Sequence, residues 1–222
     1  EADAIQSISG YDGKASDYDI TDTAAALISA GDAVLTQAGV DHVKASDTSV
    51  LANVGAQLNG FTADIDFNVS DTAANLADQV DGTNGSFGSL DDAASIEVLS
   101  GTAVDVADAM SIQGIYGYTG AGDLDIEDTA AVLISAGDTV LNQAGVDHVK
   151  ASDTSVLANV GAQLNGFTAD IEFDVSDTAA NIATNVSNLG EADEVFVESG
   201  GAEVNVAGAQ AIQGLAGYQA GA

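Results

Sequence analysis

The chain has 222 residues, 46% of them hydrophobic, and sets 35 acidic residues against three lysines for a formal charge of -32 at neutral pH. Such a charge repels nucleic acid and anionic membrane surfaces, the apolar content is too high for a disordered acidic tail, and the lack of cysteine removes disulfides, thiolate metal sites and thiol nucleophiles. No apolar run reaches membrane-spanning length, so no membrane insertion is expected, and Glu1 reads as the start of a mature or excised piece.

In chain order, "ADAIQSISGY" from Ala2 opens the sequence and returns as "ADAMSIQGIYGY" from Ala107 and as "GAQAIQGLAGY" from Gly208, so both ends fall at nearly one phase of a repeat. "VDHVKASD" leads to Asp47 and Thr48 and then to "TSVLANVGAQL", where helical spacing puts Val50, Leu51, Val54 and Leu58 on one stripe. "DIDFNVSD" alternates, with Ile65, Phe67 and Val69 on one face and Asp64, Asp66 and Asn68 on the other, which predicts a strand with one wet side. "TAANLADQV" after Asp71 is again helical in spacing, and "DGTNGSFGSLDD" from Asp81 reads as a surface loop with scattered oxygen ligands. "IEVLSGTAVDV" from Ile96 reads as a β-hairpin about Ser-Gly. Gln37 to Ile65 then recurs unchanged as Gln143 to Ile171, an offset of 106 residues, followed by a shorter loop from Ser187 and a second hairpin pattern, "VFVESGGAEVNV", from Val195.

Strand, cap, short helix and loop recur about every 25 residues, which leaves room for a crossover to the next parallel strand. The expected fold is therefore α/β: a repetitive solenoid of parallel strands and short helices in two 106-residue copies, residues 1–106 and 107–222, each with an inserted hairpin. Asp22, Asp47, Asp71, Asp128, Asp153 and Asp177, each followed by Thr, are expected to cap the helices they introduce, where a carboxylate suits both the free amides and the helix dipole.

The other acids are the candidate cation ligands. Asp17 and Asp19, Asp64 and Asp66, Asp123 and Asp125, and Asp170, Glu172 and Asp174 alternate along strands, and stacking would bring such columns to about 5 Å separation. Calcium suits rows of oxygen ligands, whereas zinc or copper would want cysteine or clustered histidine. His42 and His148 read as surface histidines beside Lys44 and Lys150. Tyr11, Tyr116, Tyr118 and Tyr218 lie near the seams and are expected to fill junctions between successive units. No nucleophile elbow, phosphate loop or dinucleotide fingerprint is present, so no enzyme activity is expected.

"SDTAAN" segments in an acidic, cysteine-free chain rich in Ala, Asp, Gly and Val resemble the repeats of large secreted bacterial surface proteins: RTX-type adhesins, S-layer proteins and extracellular matrix proteins. The resemblance implies a calcium-rich extracellular or cell-surface setting and a role in adhesion, spacing or matrix assembly. Its implied partners are further copies of the chain itself and, in the alternative of a calcium-dependent binding module, glycan, mineral or ice. The tandem glycine-rich nonapeptides of calcium-binding β-rolls are absent from this sequence.

Overall fold

The computed structural model describes residues 4, 18–80, 90–200 and 203–220. It is α/β, with three sheets whose strand pairs are parallel, and it divides into two compact units: Glu1–Thr102 with Met110–Gly122, and Ala103–Ala109 with Asp123–Ala222. No helix among the described residues is long and apolar enough to cross a membrane.

Unit 1 runs β1 (Tyr18–Asp22), α1 (Ala24–Ala30), α2 (Asp32–Leu35), β2 (Val40–Ala45), α3 (Ala52–Asn59), β3 (Ile65–Thr72), α4 (Ala73–Val80), β4 (Ala93–Leu99), α5 (Val106–Gln113) and β5 (Tyr118–Gly122), with α5 continuing from the second unit. Its five strands lie side by side in sequence order. Unit 2 continues with β6 (Leu124–Asp128), α6 (Ala130–Ala136), α7 (Asp138–Leu141), β7 (Val146–Ala151), α8 (Ala158–Leu164), β8 (Ile171–Glu172), β9 (Asp174–Thr178), α9 (Ala179–Asn185), β10 (Glu194–Glu198), α10 (Val206–Gln213) and β11 (Tyr218–Gln219). Its sheets are β6-β7-β8 and β9-β10-β11, again in sequence order.

Alternation dictates the strands. In β3, Ile65, Phe67, Val69 and Asp71 face inward, and the inner face of β9 carries Val175 and Asp177. The helices follow because Ala-rich runs have high helix propensity and small side chains that let the helix lie close on the sheet. Gly55 of α3 shows how close: a Cβ there would stand 2.9 Å from Val69 Cγ2 and 3.1 Å from the Phe67 ring, and Gly161 of α8 meets Val175 at the same 2.9 Å.

Two expectations are corrected. The hairpins do not form: β4 pairs in parallel with both β3 and β5, and β10 with both β9 and β11. The alternation after Ser100 belongs instead to a helix entrance, where Val104 makes one parallel bridge to Ile126 and the Asp105 carboxylate accepts from the Asp108 amide. The stripe on α3 also differs, since Ala52, Gly55 and Leu58 face the sheet while Leu51 is 55% exposed at the N-cap. Leu51 is the N-cap, ahead of the first helical turn, so it does not continue the row that Ala52, Gly55 and Leu58 set at spacing three.

Candidate functional site

The Asp-Thr pairs build a ladder between neighbouring strand-helix turns. In each strand-ending pair the first carboxylate oxygen accepts from the next amide: Asp22 from Thr23 at 2.8 Å, Asp71 from Thr72 at 2.8 Å, Asp128 from Thr129 at 2.7 Å and Asp177 from Thr178 at 2.7 Å. The second oxygen reaches back to the first amide of an earlier helix: Asp47 to Ala24 at 2.6 Å, Asp71 to Ala52 at 2.9 Å, Asp128 to Val106 at 3.2 Å, Asp153 to Ala130 at 2.6 Å and Asp177 to Ala158 at 3.1 Å. These aspartates thus cap the N-termini of helices that begin 19 to 23 residues earlier in the chain, while the cap beside the following helix is threonine, as where Thr23 Oγ1 accepts from Ala26 and Thr178 Oγ1 from Asn181.

Asp71 and Asp177 are 5% and 4% exposed, so their charge is held by hydrogen bonds alone. Each also accepts from an Asn side chain one helical turn on, Asn75 or Asn181, at 2.7 Å. At Asp177 desolvation pushes the carboxyl pKa up, but the bonds from Asn181, Thr178 and Ala158 outweigh it and leave the group below the usual carboxylate range.

A second stitch was not expected. Asp32, at the start of α2, accepts from the Thr62 amide at 2.8 Å and the Thr62 hydroxyl at 3.2 Å, and Asp138 does the same with Thr168 at 2.8 and 3.1 Å. Desolvation raises the Asp138 carboxyl, and the Thr168 and Ala169 bonds turn the net shift downward. The signal was available in "AGD" at the entry to a helix, a Gly followed by a cap-type acid. Gly31 and Gly137 there take φ of 69° and 68°, which lets α1 and α6 stop and a new helix start at once.

On the wet face, the expected columns of like charge are broken by β2 and β7. Lys44 sits opposite Asp66 and Thr21, and Lys150 stands between Glu127 and Glu172. His42 Nε2 lies 3.4 Å from Asp66, and His148 Nε2 lies 3.2 Å from Glu172. Of the candidate cation ligands, Asp19, Asp64, Asp123 and Asp170 are exposed and Asp66 is half-buried. Asp17 and Tyr11 lie outside the described residues, as do residues 81–89 of the loop from Asp81. Asp125, Asp147 and His148 bring one ligand atom each to within 4.8 Å of one another. Desolvation chiefly raises the Asp125 carboxyl, with Asp147 and Asp123 adding to it and His148 opposing.

A cleft of about 330 Å³ in unit 2 gathers further acids, with Lys150, Asp153, Glu172, Asp174, Asp193 and Glu194 in its wall. Asp174 and Glu194 are directly opposite in the parallel register of β9 and β10. Desolvation first, and then the charges of Glu172, Asp174 and Asp170, push the Asp193 carboxyl up. Asp193 and Glu194 were not picked out in the sequence, because their cleft neighbours Glu172 and Asp174 lie on other strands. Tyr118 is half-buried with no hydrogen-bond partner for its hydroxyl among the described residues, and burial raises its pKa; Tyr218 is half-buried and Tyr116 is exposed.

No protein family, curated protein or solved structure matches the chain.

Proposed function

We propose that the chain is a structural repeat module of a bacterial extracellular surface or matrix protein, an α/β solenoid acting in adhesion, spacing or end-to-end assembly. The observation that carries this reading is the aspartate ladder: the same bond joins one turn to the preceding one at five positions, and nothing in its geometry limits the number of turns. Repeat proteins whose turns contact only their neighbours lengthen by addition of turns, and unpaired strand edges at their ends recruit further strands. The charge of -32 keeps such an assembly soluble at high local concentration, and a cysteine-free chain is indifferent to an oxidising exterior. The named acids serve bonding and solvation in this reading, and no reaction is assigned to them.

The test is particle length by negative-stain microscopy and mass by light scattering across a concentration series. Growth of unbranched particles supports the reading, and monomers at every concentration sink it.

The acidic cleft of unit 2 favours a second reading, a calcium-dependent binding module for carbohydrate, mineral or ice. Four carboxylates from Glu172, Asp174, Asp193 and Glu194 offer the oxygen-only donor set that calcium accepts. Calcium titration followed by melting temperature separates the two, since a ligand of the folded state raises it in proportion to the logarithm of concentration.

A further inference from the structure

Two rungs of the ladder lack their counterpart among the described residues, and the two are complementary. Helices α5 and α10 begin alike, Val104-Asp105-Val106 against Val204-Asn205-Val206, and each has its polar cap accepting from the third residue on, Asp108 or Gly208. At α5 the entrance is closed by β6. The Val104 amide donates to the Asp125 carbonyl at 3.0 Å, the Glu127 amide donates to the Val104 carbonyl at 2.9 Å, and Asp128 accepts from the Val106 amide. Val106 is consequently 6% exposed, and Leu124 and Ile126 of β6 are buried. At α10 the same entrance is open: Val206 is 75% exposed, and Val204 and the Val206 amide have no hydrogen-bond partner among the described residues.

The missing counterpart is carried by the chain itself. β1 and the residue after it, Tyr18-Asp-Ile-Thr-Asp22-Thr23, align with Leu124-Asp-Ile-Glu-Asp128-Thr129 at β6 and share its Asp, Ile, Asp and Thr. Tyr18 and Ile20 are only half-buried where Leu124 and Ile126 are fully buried. Asp22 holds the Thr23 amide with one oxygen, and among the described residues its other oxygen lacks the helix amide that Asp128 has. One surface therefore offers a donor without an acceptor beside an exposed valine, and another offers an acceptor without a donor beside a half-covered isoleucine.

We propose that these two surfaces join different copies of the chain: β1 of one copy packs against the α10 entrance of the next, with Ile20 opposite Val204 and the Asp22 carboxylate on the Val206 amide. The joint rests on the assembling reading above and specifies its partner, a second copy oriented head to tail. Such a contact is heterologous and does not close on itself by two-fold symmetry, so it propagates.

The absence of cysteine makes the test clean. Ile20→Cys and Val204→Cys are made separately in the full chain and mixed under mild oxidation, the positions corresponding to Ile126 and Val104, which are bridged partners at disulfide-compatible spacing. A covalent dimer in the mixture, at least about tenfold above that in either variant alone, is the expected result. Val206→Asp changes an exposed residue, and Asp22→Asn keeps an oxygen for the Thr23 amide while removing the charged acceptor offered to the next copy, so each should abolish particle growth with the melting curve of the monomer unchanged. Particles that lengthen without the mixed disulfide, or that survive both substitutions, overturn this joint and leave the assembling reading standing. Absence of particles and of disulfide at every concentration overturns both.

Discussion

The two units have similar orders of strands and helices, in one five-stranded sheet in unit 1 and two three-stranded sheets in unit 2, and they differ where the wet face carries charge. In unit 1 the positions opposite each other on β3 and β4 are Asn68 and Ser95, and the Ser95 hydroxyl donates to Asn68 Oδ1 at 2.8 Å. In unit 2 the same places on β9 and β10 hold Asp174 and Glu194, with Asp193 and Glu172 beside them. The ladder is common to both units, so it belongs to folding. The acid cleft belongs to one unit, so folding does not require it.

The largest expected effects test the common part. Asp71→Ala and Asp177→Ala each remove the acceptor of a buried helix amide and of an Asn side chain, and each should lower stability by about 3 kcal/mol in urea unfolding. Equal losses confirm one shared device, while a difference above about 1 kcal/mol would break the comparison. Gly55→Ala and Gly161→Ala come next, at about 1–2 kcal/mol each, because the crowding against Val69 or Val175 exceeds the gain in helix propensity.

The cleft should show the opposite sign. Asp174→Asn with Glu194→Ser gives unit 2 the residues of unit 1, and the loss of opposed like charges should raise stability by up to about 1 kcal/mol in calcium-free buffer. The same double variant should lose any rise in melting temperature with millimolar calcium, and a retained rise would place the ion elsewhere. Lowering pH sharpens the contrast. Asp125 and Asp193 have raised folded-state values, so their ionisation disfavours folding, and that penalty is relieved as pH falls through those values. Asp138 and Asp177 have lowered values, so their contribution is complete above the unfolded value of about 4 and is lost as pH falls through the folded one. Stability against pH should thus rise slightly on mild acidification and then collapse below about pH 4. A curve that only falls from pH 7 removes the first half of this account. The smallest effect is Lys150→Gln, about 0.5 kcal/mol for a surface cation between two acids, with Lys44→Gln smaller because only Asp66 faces it.

Periodicity alone was enough to read the strand faces and the helices after the Asp-Thr pairs, because alternation and Ala-rich spacing are local properties of a segment. Ile65, Phe67 and Val69 lie on the buried side for that reason. The hairpin reading failed at Ser100 because a strand exit followed by a helix entrance, Val104-Asp105-Val106, has the same alternation as a returning strand. Which helix an aspartate caps was equally invisible. Asp71 stands next to Thr72 in the chain, but the amide that takes its second oxygen belongs to Ala52, 19 residues away, and only the parallel register of neighbouring strands brings them together. The acid cleft has the same origin, since Asp174 meets Glu194 through strand pairing. Composition and local pattern thus determined which segments become strands and helices and how acidic the surface is. Register, set by the parallel pairing of successive strands, decided which acid bonds a helix, which is neutralised by lysine and which faces another acid.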